Sequence, residues 1–95
     1  MEKQEAYEQK VEARLDQLKA KIAELEARAR AASADAQLKY RDQIDALQEK
    51  RRRAESQMEE LRQAGEGAIE SLKKKSDEAL DDLKGAIDDL QARLR

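Results

Sequence analysis

Apolar residues recur through most of the chain at alternating steps of four and three residues. This heptad spacing begins at Val11 and continues to Leu61. On an α-helix it gathers the apolar side chains into one seam, and such a seam is stable only when a partner helix covers it. The pattern therefore predicts a coiled coil and an all-α fold. The seam consists of Val11, Leu15, Leu18, Ile22, Leu25, Ala29, Ala32, Ala36, Tyr40, Ile44, Leu47, Arg51, Ala54, Met58 and Leu61.

The seam slips in an alanine-rich segment around Ser33. Three successive steps of four residues replace the heptad alternation between Ala32 and Ile44. A slip of this kind unwinds a supercoil locally without ending the helix. Ser33 or Asp35 could instead cap a new helix. Because the segment contains neither Gly nor Pro, we favour a continuous helix over about residues 2–63.

A clear break follows at residues 64–67, where the sequence reads Ala-Gly-Glu-Gly. Gly65 suits a left-handed helix C-cap, and this predicts a turn. A last helix is then predicted over residues 68–94. Ser76 falls within its seam, which is otherwise formed by Ile69, Leu72, Ala79, Leu80, Leu83, Ile87, Leu90 and Leu94.

These segments predict one helical coiled-coil domain over residues 1–95. The short turn favours an elongated antiparallel helical hairpin, in which the last helix packs on the second half of the first. A continuous first helix would span roughly 90 Å at 1.5 Å per residue, so its N-terminal half would need a second chain. We therefore expect a self-associating protein, with a dimer favoured. The alternative is a monomeric three-helix bundle, in which the first helix breaks near Ser33.

The residues expected to form the coiled-coil interface are the larger members of these seams. They are Val11, Leu15, Leu18, Ile22, Leu25, Tyr40, Ile44, Leu47, Met58, Leu61, Ile69, Leu72, Leu80, Leu83, Ile87 and Leu90. Arg51 also occupies a seam position. Its long side chain could reach past the edge of the interface, or it could select the register and the partner.

Composition argues against catalysis and against nucleic-acid binding. The chain has no His and no Cys, so it lacks a general base with a pKa near neutrality and a thiolate nucleophile. We predict that it is not an enzyme and that it uses no metal, cofactor or small-molecule substrate. The net charge is −2, from 20 basic and 22 acidic residues, and 2% of the residues are aromatic. No basic field or stacking platform for nucleic acid is therefore expected.

Membrane association is also not expected from the sequence. No apolar run approaches the roughly 20 residues of a membrane span, and the segment beginning Met-Glu-Lys lacks the apolar core of a signal peptide. We therefore predict a cytoplasmic protein. The last helix is amphipathic, but its polar face is acidic, which disfavours anionic lipid.

Several short segments of the chain resemble a family of small bacterial coiled-coil proteins of uncharacterised function. Those segments are Glu5-Ala-Tyr7, Leu15-Asp16 with Ile22 and Leu25, Ala34-Asp35-Ala36 with Tyr40, Gln43-Ile44 with Leu47, and Ala64-Gly65-Glu66-Gly67-Ala68 before Leu72-Lys73. The chain departs from the family along its last helix, where such proteins often carry Trp. The resemblance implies a helical, intracellular protein and supplies no catalytic residues.

The sequence thus predicts a non-enzymatic structural or interaction protein that self-associates through its heptad seams. A second copy of the chain is the expected partner, and another helical protein is the other partner considered. The alternative is a conditional amphipathic-helix protein. Such a protein folds only when it binds a lipid surface or when it binds partners in a stress-protective role.

Overall fold

Three α-helices account for nearly all of the chain. A computed structural model describes the backbone of residues 2–94 and the side chains of residues 5–65 and 67–94. Helix α1 spans Glu2–Ala31, α2 spans Ala34–Gln63 and α3 spans Ile69–Arg93, with a 3₁₀ turn at Glu66–Ala68. The prediction of an all-α fold is confirmed. Residues 1 and 95 of the predicted domain lie outside the described residues.

The helix that begins the chain ends at Ala31, and a new helix starts at Ala34. This corrects the predicted continuous helix over about residues 2–63. The break lies near Ser33, as in the three-helix alternative, and the physical reason is an N-cap. Ser33 is extended (φ −60°, ψ 161°), and its Oγ accepts a hydrogen bond from the backbone N–H of Ala36 at 3.2 Å. Such a cap contributes about 1 kcal/mol to helix stability.

The break allows α1 to fold back along α2. The described chain measures 50 × 18 × 17 Å, so its long axis matches a single 30-residue helix. The α2–α3 pair has the most extensive packing, and α1 lies against both of its members. The result is a three-helix bundle in which α2 runs antiparallel to the other two helices.

The turn predicted at residues 64–67 separates α2 from α3, but its backbone differs from expectation. Gly65 has φ −79° and ψ 166°, so the left-handed C-cap expected there is wrong. The backbone N–H of Ala64 bonds to the carbonyl of Leu61 at 3.3 Å, and that of Ala68 bonds to the carbonyl of Gly65 at 3.1 Å. Extended residues and one 3₁₀ turn therefore reverse the chain.

The seams of the three helices meet in one core along the bundle axis. Leu61 and Leu83 are completely buried, and Ile87 and Leu90 are 1% exposed. Tyr40 ties the end of α3 to this core, because its hydroxyl donates to the backbone carbonyl of Arg93 at 2.9 Å. Because Leu, Ile, Val and Ala line this axis, the bundle closes without Phe or Trp.

Ser76 is the one buried polar residue among the described side chains. It is 1% exposed, and its Oγ has no hydrogen-bond partner. An unpaired hydroxyl in a core costs roughly 1–3 kcal/mol. The serine in the α3 seam therefore weakens the core it belongs to.

Replacing the capping serine should destabilise the bundle. We expect Ser33→Ala to lower the free energy of unfolding by about 1 kcal/mol, because the N–H of Ala36 loses its partner. Urea denaturation followed by circular dichroism measures this. Ser56→Ala, at an exposed position inside α2, is the matched control and should leave stability unchanged or slightly higher. Equal effects of the two variants would contradict the capping role.

Removing the buried hydroxyl should have the opposite effect. We expect Ser76→Ala to raise the free energy of unfolding by about 1 kcal/mol, because the unpaired oxygen is lost while the Cβ and its packing remain. Thermal unfolding compared with the wild type and with Ser56→Ala measures the gain. A lower melting temperature for Ser76→Ala would show that the hydroxyl has a stabilising partner.

Candidate functional site

The residues expected at a coiled-coil interface converge on the core of a single chain. All of them are buried except Ile44, Met58 and Leu72, which are half-buried against the same cluster. On α1, Ile22 is 2% exposed and Leu25 is 3% exposed. The α1 seam is therefore covered by the α2–α3 hairpin of its own chain.

Polar contacts between α1 and α2 repeat once per heptad. Arg62 Nη2 lies 3.1 Å from Glu12 Oε2, and Lys19 Nζ lies 3.8 Å from Glu55 Oε2. Further along, the Gln48 amide donates to the Glu26 carboxylate. Each step of seven residues up α1 is matched by a step of seven residues down α2. We call these three contacts, Glu12–Arg62, Lys19–Glu55 and Glu26–Gln48, the α1–α2 ladder. They occupy the flanking positions that set register and orientation in antiparallel coiled coils.

Arg51 joins two rungs of the α1–α2 ladder. Its Nε donates to Gln48 Oε1 at 2.7 Å, and its Nη1 donates to the Glu55 carboxylate. The side chain is 25% exposed, so it leaves the seam and runs along the bundle edge. Arg51 therefore holds Gln48 and Glu55 in place for their partners on α1.

Helix α3 is attached to α1 and α2 by separate polar contacts. Arg14 Nη2 donates to Asp81 Oδ1 at 2.6 Å, and Lys50 Nζ donates to Asp82 Oδ2 at 2.7 Å. The adjacent acidic residues thus face different helices. This arrangement uses the Asp81-Asp82 pair to position α3 against both neighbours.

An apolar groove opens between α1 and α2 beside the Ala32–Ser33 connection. Its volume is about 590 Å³. The apolar residues that line it are Ala29, Ala34, Leu38 and Ile44. Its polar lining comes from both helices and is formed by Glu26, Arg30, Gln37, Arg41, Asp45 and Gln48. We call this region the junction groove.

Leu38 is the most unusual residue of the junction groove. It is 67% exposed and is the only large hydrophobic side chain that lies exposed in the described part of the chain. Ile44, a seam residue, is only half-buried because it also lines the groove. Our sequence reasoning missed Leu38, although a signal was present. It is the one leucine of α2 that lies outside the heptad positions.

In residues 2–94, the described acidic side chains form no cluster of three that could hold a metal ion. None of the described helices has the length and apolar character needed to cross a bilayer. Among the described residues, the junction groove is the feature that combines an exposed large apolar side chain with a lining drawn from two helices.

Tyr7 fixes the N-terminal part of α1 to α3. Its hydroxyl lies 2.7 Å from Asp77 Oδ1 and 3.0 Å from the carbonyl of Lys73, and Lys73 Nζ lies 5.1 Å from the ring centre. Burial, together with the neighbouring Asp77 carboxylate, raises the pKa of the Tyr7 hydroxyl above its usual value of 10.0. The hydroxyl therefore stays protonated in the folded chain when a free tyrosine would ionise.

This shift predicts a loss of stability at alkaline pH. Above about pH 10 the hydroxyl ionises in the unfolded chain but not in the folded one, so the unfolded state is favoured increasingly as the pH rises. Below pH 10 the contribution of Tyr7 is fully present. We expect wild-type stability to fall more steeply between pH 10 and 12 than that of Tyr7→Phe, measured by urea denaturation. Parallel curves would contradict the shift, since the two proteins differ only at this hydroxyl.

Comparison of the chain with known protein families, with characterised proteins and with solved structures gave no match. The resemblance to small bacterial coiled-coil proteins stays a prediction.

Proposed function

We propose that this chain is a non-enzymatic structural or interaction protein that self-associates by pairing its helices. The observation that carries the proposal is the junction groove. There Leu38 lies exposed and Ile44 is only half-buried, so the apolar surface of α2 is not fully covered by the helices of one chain.

The shape and lining of the junction groove suit a helix. Its apolar floor is formed by residues of both α1 and α2, and both helices also contribute polar residues to the lining. A helix that places apolar side chains on this floor would cover Leu38 and complete the packing of Ile44. The two residues would then have the environment that their side chains favour, since burying a leucine side chain is worth about 1.5–3 kcal/mol.

Charge at the junction groove favours a second copy of the chain as the partner. Each helix contributes one acid and one base to the border: Glu26 and Arg30 on α1, and Arg41 and Asp45 on α2. A two-fold axis brings the same surface of both copies together, so a surface with both signs can pair with itself. The net charge of −2 also gives only weak repulsion between copies.

The amphipathic alternative would require the core to open. The apolar face of α3, which includes Leu80, Leu83, Ile87 and Leu90, is buried in the bundle. It could contact lipid only after leaving α1 and α2. Among the described side chains, Leu38 is the large apolar one that lies exposed on the closed bundle, and one leucine is a small anchor for a membrane surface.

The proposal predicts a concentration-dependent dimer that depends on Leu38. We expect light scattering to show wild-type dimers, and we expect Leu38→Asp to raise the dissociation constant about tenfold or more, because each copy loses one buried leucine. Helix content should not change, since the side chain is 67% exposed in the single chain.

Ala46→Asp is the matched control for this experiment. Ala46 is exposed on α2 and does not line the junction groove, so its substitution should leave the dissociation constant unchanged. A wild-type protein that keeps the mass of a single chain at every accessible concentration would reject the proposal.

A further inference from the structure

We propose that two copies of this chain pair by exchanging α1. In the exchanged dimer, α1 of each copy lies on the α2–α3 hairpin of the other copy, in the position it otherwise takes on its own hairpin. The inference rests on the proposed self-association and names how the second copy is engaged. Exchange of an identical element is a low-cost route to a dimer because the closed chain already contains every contact.

The α1–α2 ladder is the first observation that supports exchange. Its contacts at Glu12–Arg62, Lys19–Glu55 and Glu26–Gln48 are arranged symmetrically about Gln37. Continued by one more heptad along α1, the same ladder would pair Ser33 with Arg41. A single chain cannot form that rung across helices, because it reverses direction at Ala32 and Ser33. Two antiparallel copies can continue the ladder through the junction, with the two-fold axis near Gln37.

The connection between α1 and α2 is the second observation. It consists of Ala32 and Ser33, with alanines at 27, 29, 31, 34 and 36 around it. Alanine has the highest helix propensity, and serine is accepted within helices. The connection contains neither Gly nor Pro, so α1 and α2 can join into one straight helix. The closed connection is held by the Ser33 cap and by the Gln37 amide, which donates to the carbonyls of Arg30 and Ala32 at 2.8 and 3.3 Å. Opening therefore breaks a few local bonds, and short connections of this kind favour exchange.

The junction groove is the third observation. It lies beside the connection, where the ladder places the two-fold axis. In the exchanged dimer the grooves of the two copies adjoin each other, and the ladder register brings Arg30 of one copy next to Asp45 of the other. The exchanged form thus brings the two grooves side by side at the axis.

Complementary charge reversals test whether α1 of one copy docks on another. The first variant carries Glu12→Arg and Arg14→Glu on α1. The second carries Arg62→Glu and Asp81→Arg on the hairpin. In each variant alone, like charges meet at both the 12–62 contact and the 14–81 contact. This holds for the closed chain and for a dimer of two identical variants. In an exchanged heterodimer every one of these contacts again joins opposite charges.

We expect the two variants, refolded together, to form a one-to-one heterodimer. It should melt at a higher temperature than either variant and be favoured about tenfold or more over the separate proteins, because four ion pairs are restored. A mixture that melts as the sum of its components, with no heterodimer by light scattering, would overturn the exchange.

Crosslinking shows which chain supplies α1 in an otherwise natural dimer. The chain has no cysteine, so an Arg14→Cys and Asp81→Cys double variant reacts only at these two positions. We expect a short bismaleimide to link its dimer fraction into covalent dimers on a denaturing gel. Crosslinks confined within one chain, in a fraction that still has dimer mass, would overturn the exchange while leaving the proposed self-association intact. The absence of any dimer fraction in the wild type would instead reject the self-association.

Lengthening the connection between α1 and α2 is a further test of the exchange. A Gly-Gly-Ser insertion between Ala32 and Ser33 should favour the closed chain and raise the dissociation constant about tenfold or more, because a flexible connection no longer favours the open form. The same insertion between Gly65 and Glu66 is the control and should leave the dissociation constant unchanged. Equal effects at both sites would contradict the role of the connection.

Discussion

The bundle depends on the burial of the α1 seam against the α2–α3 hairpin. Leu15, Ile22 and Leu25 are each 2–3% exposed because the other two helices cover them. Without α1, the hairpin would expose the opposite side of the same core. A chain of 95 residues without Phe or Trp has little other apolar surface with which to stabilise a fold. The stability of all three helices is therefore shared, and none is expected to be well ordered alone.

Polar contacts have a different role from this apolar core. Exposed ion pairs such as Arg14–Asp81 or Glu12–Arg62 each contribute about 0–1 kcal/mol, so they do not account for the stability of the bundle. Their regular placement along the helices matters more. A shift of α1 by one turn would leave the seam partly buried but would place an uncharged residue, Leu15 or Ala23, opposite Glu55 in place of Lys19. The apolar seam provides the affinity between the helices, and the ladder provides their register.

Much of this architecture could be predicted from the heptad pattern, because the spacing of apolar residues indicates which face of each helix is buried. The all-α class, the turn after Gln63 and the buried seam residues follow from it. The break at Ser33 could not be decided, since one capping hydrogen bond competes with one or two more helical residues, and both are worth about 1 kcal/mol. The exposure of Leu38 agrees with its place outside the heptad positions, whereas the half-burial of the seam residue Ile44 depends on how α1 and α2 pack near the connection. That packing depends on the tertiary structure, and the heptad spacing does not show it.

The heptad repeat of the α1–α2 ladder limits how the length of this protein could change. Removing a single residue from α1 would rotate every following side chain by about 100° around the helix axis and misalign both its seam and its rungs. Removing one whole heptad from α1, together with one from each facing helix, would keep all remaining contacts in register. Chains related to this one by insertion or deletion should therefore differ by whole heptads, in the three helices together, and the bundle would become longer or shorter without changing its cross-section.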